Sequence, residues 1–271
     1  MAINNNTDLR CVDGQTLSFP PWKSGDTNWG NMKLPDVFVE DSTQQYPIGT
    51  RIVKGDRSYR YCYAASALLR GMGAHDAGVV GLHTLAVSGG QAAGAAYLTI
   101  PDTDTDHVAN WWAGGYVAME GWGPWTRSIM TSTASDGSTV NLTLETTLPT
   151  AVTTNKVQVV RSPYAQVTAG GTLGAATAKI TAYCCVPGVA ITSGYYFWGQ
   201  TWGPVGGCPA AFFGDLEYEK TTVFHDTDGS VRESSSLITN NKHYQEAGYV
   251  LGRYTAATDH RIPIYQLMLA P

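Results

Sequence analysis

Val140-Asn-Leu-Thr-Leu-Glu-Thr146 alternates apolar and polar side chains without an error, the signature of a strand with one buried and one solvated face. Ser135-Asp136-Gly137-Ser138 precedes it as a turn, so residues 126–133 and 139–147 read as a hairpin. The same grammar recurs outward from there. Asp226-Thr-Asp228-Gly229 predicts a second hairpin between residues 221–225 and 230–234, and residues 179–186 and 262–269 read as further strands. From Tyr46 onward, short strands separated by glycine-rich turns predict an all-β (mainly β) chain with a barrel- or sandwich-like β core. Residues 64–72 (AASALLRGM) carry helical spacing and predict one short helix. The core spans 46–271, and its division into two β modules, 46–167 and 168–271, is left open.

Residues 1–45 break this pattern. Pro20-Pro21-Trp22, Gly25, Gly30 and Pro35 punctuate the segment too often for a packed element. Phe19, Trp22, Trp29 and Phe38 make it more aromatic than an inert tail. The expectation is an extended N-terminal arm that orders against a neighbouring subunit by strand addition, with Phe19, Trp22 and Trp29 as its partner-binding anchors.

A chain of 271 residues can bury a sizeable core without a metal or a disulfide framework. Charged residues reach only 14%, against about 25% in an ordinary domain. Such a surface must be covered by Thr, Ser, Asn and Gln or hidden against other chains. Eight Trp and fifteen Tyr supply residue types enriched at interfaces. The net charge of −5 and the lack of any Lys/Arg run argue against a nucleic-acid partner. No stretch approaches the length of an apolar membrane span, and the start Met-Ala-Ile-Asn-Asn-Asn has no secretory pattern, so neither membrane nor export is expected. Cys11, Cys62, Cys184, Cys185 and Cys208 are odd in number and irregularly spaced, which suits reduced, buried thiols.

Candidate chemistry fails position by position. Asp102-x-Asp104-x-Asp106 opens like a calcium loop, but His107 stands where that loop needs Gly and Ala113 where it needs Glu. Gly89-Gly-Gln-Ala-Ala-Gly94 has phosphate-loop spacing but is followed by Ala-Ala rather than Lys-Ser/Thr. No two of His75, His83, His107, His225, His243 and His260 stand four residues apart. Glu120, Glu145, Glu217 and Glu219 could supply the paired carboxylates of a glycoside hydrolase, though alternation on a solvated sheet explains them more simply. No catalytic residue, cofactor or metal is therefore expected.

Gly115-Tyr116 followed by Trp122-Gly123-Pro124 echoes Gly194-Tyr195 followed by Trp202-Gly203-Pro204. This reads as local convergence, since no other position aligns, with two related β modules as the alternative. Four patches carry a wider likeness: residues 46–61 (YPIGTRIVKGDRSYRY), 113–119 (AGGYVAM), 162–167 (SPYAQV) and 191–204 (ITSGYYFWGQTWGP). They resemble uncharacterised structural proteins of tailed bacteriophages, a group similar to head decoration (cement) proteins. The resemblance implies a virion component of the phage head, made in the host cytoplasm. It would bind the major capsid protein and copies of itself, as a homo-oligomer with a trimer favoured. A tail-associated carbohydrate- or receptor-binding module is the alternative, and a glycoside hydrolase a more distant one.

Overall fold

The computed structural model describes residues 8–12, 15–19, 35–76, 82–120, 126–153, 156–170, 182–206, 221–224, 229–233, 245–251 and 264–270. Among them there is no helix. They form β1 (Asp8–Val12), β2 (Gln15–Phe19), β3 (Arg51–Lys54), β4 (Arg57–Tyr63), β5 (Ala74–Asp76), β6 (Leu82–Ala86), β7 (Tyr97–Pro101), β8 (Tyr116–Met119) and β9 (Thr126–Ser132). The second half adds β10 (Thr139–Leu144), β11 (Lys156–Val160), β12 (Val167–Ala169), β13 (Tyr183–Pro187), β14 (Tyr196–Gly206), β15 (Thr221–Phe224), β16 (Val231–Glu233), β17 (Glu246–Val250) and β18 (Ile264–Met268). The chain is all-β, built from two curled antiparallel sheets.

One compact unit is built on Val79–Ser162. Its six strands run in the order β6-β11-β8-β9-β10-β7. The Ser88 N–H donates to the Thr99 carbonyl at 2.9 Å, drawing the two edges together so that the sheet curls on itself. Alternate residues fill its core: Leu98 and Ile100, Val117 and Met119, Val140, Leu142 and Leu144, Val157 and Val159. Each buried side chain of this size contributes about 1.5–3 kcal/mol. The hairpin expected from the Val140 stretch is present, with β9 and β10 in register at Leu142 opposite Ser132.

The other unit is built on Met32–Gly78 and Pro163–Pro271. The chain leaves it after Gly78 and returns at Pro163, a nested arrangement rather than a succession of two modules. Its sheet runs β1-β2-β3-β4-β14-β18-β17-β15-β16, with β12, β5 and β13 branching from β14. The second expected hairpin is also present, as β15 paired with β16.

Two expectations are corrected. Residues 64–72 are not a helix, because their backbone donors are taken by distant partners. Ala64 N–H donates to Tyr195, Ala65 to Val167 and Leu68 to Ile191, which leaves none of these three for an i−4 carbonyl. The described part of the N-terminal segment is not an arm awaiting a neighbour. β2 pairs antiparallel with β3 of the same chain, setting Leu17 opposite Ile52 with both side chains buried. Asp41 bridges to Tyr196 and Val37 is buried, so the end of this segment belongs to the chain's own sheet as well.

Among the described residues the same backbone device occurs in both units. Leu68 and Ile191 exchange two hydrogen bonds, Ala64 N–H donates to Tyr195 and Gly194 N–H donates to Ala64. Val152 and Gln91 likewise exchange two, Leu148 N–H donates to Ala95 and Gly94 N–H donates to Leu148. The tight turns closing them, Tyr195 N–H to Thr192 and Ala95 N–H to Ala92, both measure 3.2 Å. Gly194 and Gly94 sit at φ 83° and 84°, a left-handed backbone that side chains resist. Gln91–Ala95 and Ile191–Tyr195 thus share one backbone hydrogen-bonding pattern. Residues 122–124 of the echo noticed in the sequence lie outside the described residues.

A methyl group on Gly94 meets nothing within 4 Å, and on Gly194 only the Tyr63 hydroxyl at 4.0 Å. The cost of Gly94→Ala and of Gly194→Ala should therefore be purely conformational and similar, about 1–2 kcal/mol each. Urea titration of both variants checks this, and a marked inequality would show that the two devices are not equivalent.

Candidate interaction surface

β18 reads Ile264-Tyr-Gln-Leu-Met268 and is apolar on both faces. Tyr265 and Leu267 point inward, joining Tyr183, Val186, Phe224, Val231 and Ala247 in a buried cluster. Ile264, Gln266 and Met268 point the other way. On one side of β18, β14 sets Trp202 beside Met268, Pro204 beside Gln266 and Gly206 beside Ile264. On the other side, β17 sets Tyr249 beside Gln266, and Leu251 N–H donates to the Ile264 carbonyl. The result is a three-strand grid with Gln266 at its centre. Tyr249 is 45% exposed, Leu251 48%, Ile264 51% and Met268 42%. Scattered exposed apolar residues are ordinary; four contiguous ones on neighbouring strands are not. Charged described side chains lie at its margins: Glu246 at the start of β17, and Arg51, which donates to the hydroxyl of the Ser58 paired with Trp202.

Trp202 reaches this face because β14 carries a bulge. Gln200 is paired with Tyr59 but Trp202 with Ser58, so the alternation shifts between them. Trp198, which strict alternation would place with Trp202, remains on the opposite side and is 2% exposed. There it packs edge-on to Tyr46 at 5.1 Å and against Tyr61. Tyr61 donates its hydroxyl to Asp41 Oδ2 at 2.8 Å. These aromatics are core, and their faces are closed to a ligand.

Among the described residues, the Asp102–His107 pair is engaged in structure. Asp102 is buried and accepts from His107 Nδ1 at 2.9 Å, from Trp112 Nε1 at 3.2 Å and from the Asp104 backbone at 3.1 Å. Nε2 of His107 lies 3.4 Å from Asp104 Oδ2, and its ring stacks on Trp111 at 4.6 Å. Arg161 lies over the same Trp111 ring at 5.2 Å. The apparent calcium loop is therefore a polar lock that pins residues 102–112 with its own side chains. Among the described residues, no group of three or more His, Cys, Asp or Glu is placed to hold a metal ion. Cys62, Cys184 and Cys185 are free and buried, with the Cys62 and Cys185 sulfurs 4.0 Å apart. Hydrogen bonds with Cys184 and Cys62, then burial, hold the Cys185 thiol well above its usual pKa, so it resists forming a reactive thiolate.

No protein family, curated protein or solved structure matches this chain. The surface must be read from its own residues.

Phe19, an anchor expected from the sequence, ends β2, where its backbone belongs to a strand. Trp22 and Trp29 lie outside the described residues, as do Glu217 and Glu219. Sequence reasoning missed the β14–β18–β17 face. Its available signal was the doubly apolar run Ile264–Met268, since a strand with one solvated face should alternate.

Removing Asp102 leaves two buried donors, His107 Nδ1 and Trp112 Nε1, and the partly buried Asp104 N–H without their acceptor. Asp102→Ala should cost roughly 3–5 kcal/mol, seen as a lowered urea midpoint. An unchanged midpoint would show the lock to be dispensable for folding. Buried tyrosines make a second outcome testable. Burial, reinforced by Asp41, raises Tyr46 from 10.0 to about 12. Its unfolded form ionises first, so the stabilisation is complete below pH 10 and is lost as pH rises through about 12. Melting temperature should fall across that window, and Tyr46→Phe should lessen the fall. Equal slopes for both proteins would remove Tyr46 from the alkaline transition.

Proposed function

We propose that this chain is a structural component of a bacteriophage virion, a head decoration (cement) protein that binds and stabilises the shell through protein–protein contacts. The observation that carries this reading is the contiguous, almost uncharged face of Trp202, Pro204, Tyr249, Leu251, Ile264, Gln266 and Met268. An apolar face of this kind gains most by meeting another protein surface. The 14% charged content of the whole chain and the resemblance in residues 46–61 and 191–204 support it. In this reading the major capsid protein and copies of the chain are the partners, a homo-oligomer sits on the head, and the chain is not an enzyme.

A second reading rests on a separate observation. Tyr97 and Tyr116 are each about half exposed on the outer surface of the six-stranded sheet. Around them that surface carries Thr99, Asn141, Thr143 and Gln158. Aromatic rings among hydroxyls and amides suit stacking on a sugar, which is the carbohydrate- or receptor-binding alternative.

Co-sedimentation with undecorated capsids, followed by heating, separates the two. Wild-type chain should bind and raise the temperature at which shells break. The variant Tyr249→Asp/Ile264→Asp should bind more than about tenfold less, because carboxylates cannot be buried unpaired in a contact. Equal binding by both would remove this face from the mechanism. Failure of the wild type to bind, with glycan binding lost in Tyr97→Ala/Tyr116→Ala, would favour the second reading.

A further inference from the structure

The exposed face of the larger sheet is complementary to itself. Its β14 flank tapers from Trp202 through Pro204 to Gly206, which has no side chain. Its β17 flank tapers the opposite way, from Leu251 through Tyr249 to Gly248, which has no side chain, and Ala247, whose side chain is turned inward to the core. Between them runs β18, with Ile264 and Met268 on either side of the amide of Gln266. Turn a second copy about a two-fold axis lying along β18, in the plane of the contact, and the flanks exchange. Gly206 then meets Leu251 of the second copy, Pro204 meets its Tyr249, and Trp202 meets the end where β17 is small. The two Gln266 amides face one another across the axis, and each can donate N–H to the carbonyl oxygen of the other. That matters because Gln266 is the polar group at the centre of the grid, and burial against a purely apolar partner would leave it unsatisfied.

Charge favours the same occupant. The chain carries a net −5, so two copies repel through most approaches. On β14, β18 and β17 themselves the outward described side chains are uncharged apart from Glu246; charge lies at the rim, with Arg51 on the Ser58 hydroxyl beside Trp202, where it stays solvated. A functional patch usually measures roughly 300–600 Å², and two such patches pressed together approach the ~1,000 Å² of a specific contact.

We infer that the outer face of β14, β18 and β17 is a homotypic docking surface, on which two copies of the chain pair sheet-to-sheet about a two-fold axis at Gln266. The inference rests on the reading above that this face is a protein contact, and it names the first protein to occupy it. It also makes a two-fold pair the unit of assembly.

Sedimentation velocity of the purified full chain over a wide concentration series tests it without any particle present. The wild type should sediment as a dimer at high concentration, and Ile264→Asp/Met268→Asp should weaken pairing more than about tenfold. Both substituted residues are solvent-facing, and circular dichroism confirms that the variant remains folded. In a chain with Cys11→Ser and Cys208→Ser, Gln266→Cys should be joined into covalent dimers by a short bismaleimide. Thr221→Cys, off the axis, should not.

A wild type that is monomeric at every concentration overturns the inference. So does a dimer that survives Ile264→Asp/Met268→Asp, or one that Gln266→Cys cannot link. The fate of the functional reading is scored separately. A monomer that still binds capsids through this face leaves the decoration role standing with the shell as occupant. A dimer that ignores capsids leaves the pairing standing and removes the decoration role.

Discussion

The larger sheet depends on a single strand keeping hydrogen-bond partners along both edges. β14 runs for eleven residues, and its first half pairs with β4 along one edge. The other edge is shared: β13 takes Gly199 and Gln200, and β18 takes Trp202 to Gly206. Where that edge passes from β13 to β18, the ladder on the β4 side bulges between Gln200 and Trp202, at Thr201. There the side chains make good the loss. Thr201 donates its hydroxyl to the Ala270 carbonyl at 2.6 Å. The Gln200 amide reaches the carbonyls of Trp202, Gly203 and Pro204 at 3.0, 3.2 and 2.9 Å. Both residues are uncharged and buried, so their polar groups are satisfied at no cost in ionic desolvation. The bulge that solves this backbone problem also swings Trp202 onto the exposed face. Surface and scaffold therefore have one cause.

Much of this was legible where burial is one-sided. The alternation of Val140, Leu142 and Leu144 marked a strand because one face meets the core and the other meets water. The two hairpins were legible because Asp-Gly turns are local. What failed was whatever depended on a partner far along the chain. Ala64 and Leu68 stand four apart, as on a helix face, yet the spacing comes from a pair of long-range bridges to Tyr195 and Ile191. Leu148 and Val152 have the same spacing for the same reason. The N-terminal segment misled in a related way. Its lack of periodicity suggested an arm in search of a neighbour, but the free edge of β3 lay within its own chain.

Those bridges belong to the backbone pattern that the two segments share. Two tight turns, each carrying a left-handed glycine, make the same set of hydrogen bonds to a bridging segment. Side chains in the two segments differ almost completely, Ile191-Thr-Ser-Gly-Tyr against Gln91-Ala-Ala-Gly-Ala, while the hydrogen bonds coincide one for one. Backbone geometry tolerates that divergence because glycine is the one position whose identity the turn dictates. A search for matching side chains, such as the Trp-Gly-Pro echo, looks in the wrong place. The conformational demand is the quantity common to the two segments, not the residue types around it.

The shortage of charge and the unpaired apolar face are two sides of one constraint. A sheet exposes every second residue, so a chain of many strands must find an outward partner for half of its strand positions. Ordinary proteins use Lys and Glu there, which keeps sheets soluble and apart. On the curled six-stranded sheet this chain uses mostly Thr, Asn, Gln and Tyr beside Lys156, and these hydrogen-bond to water and to each other, as Thr99 does to Asn141 at 2.6 Å. At β14, β18 and β17 it uses neither solution. Trp202, Tyr249, Leu251, Ile264 and Met268 stand in positions that a freely diffusing sheet would fill with charge. Leaving them exposed costs solubility and gains nothing for the isolated fold, since each inward neighbour already packs a complete core. The free energy of covering them is realised only when another surface meets this face, which is the physical basis of the association proposed for it.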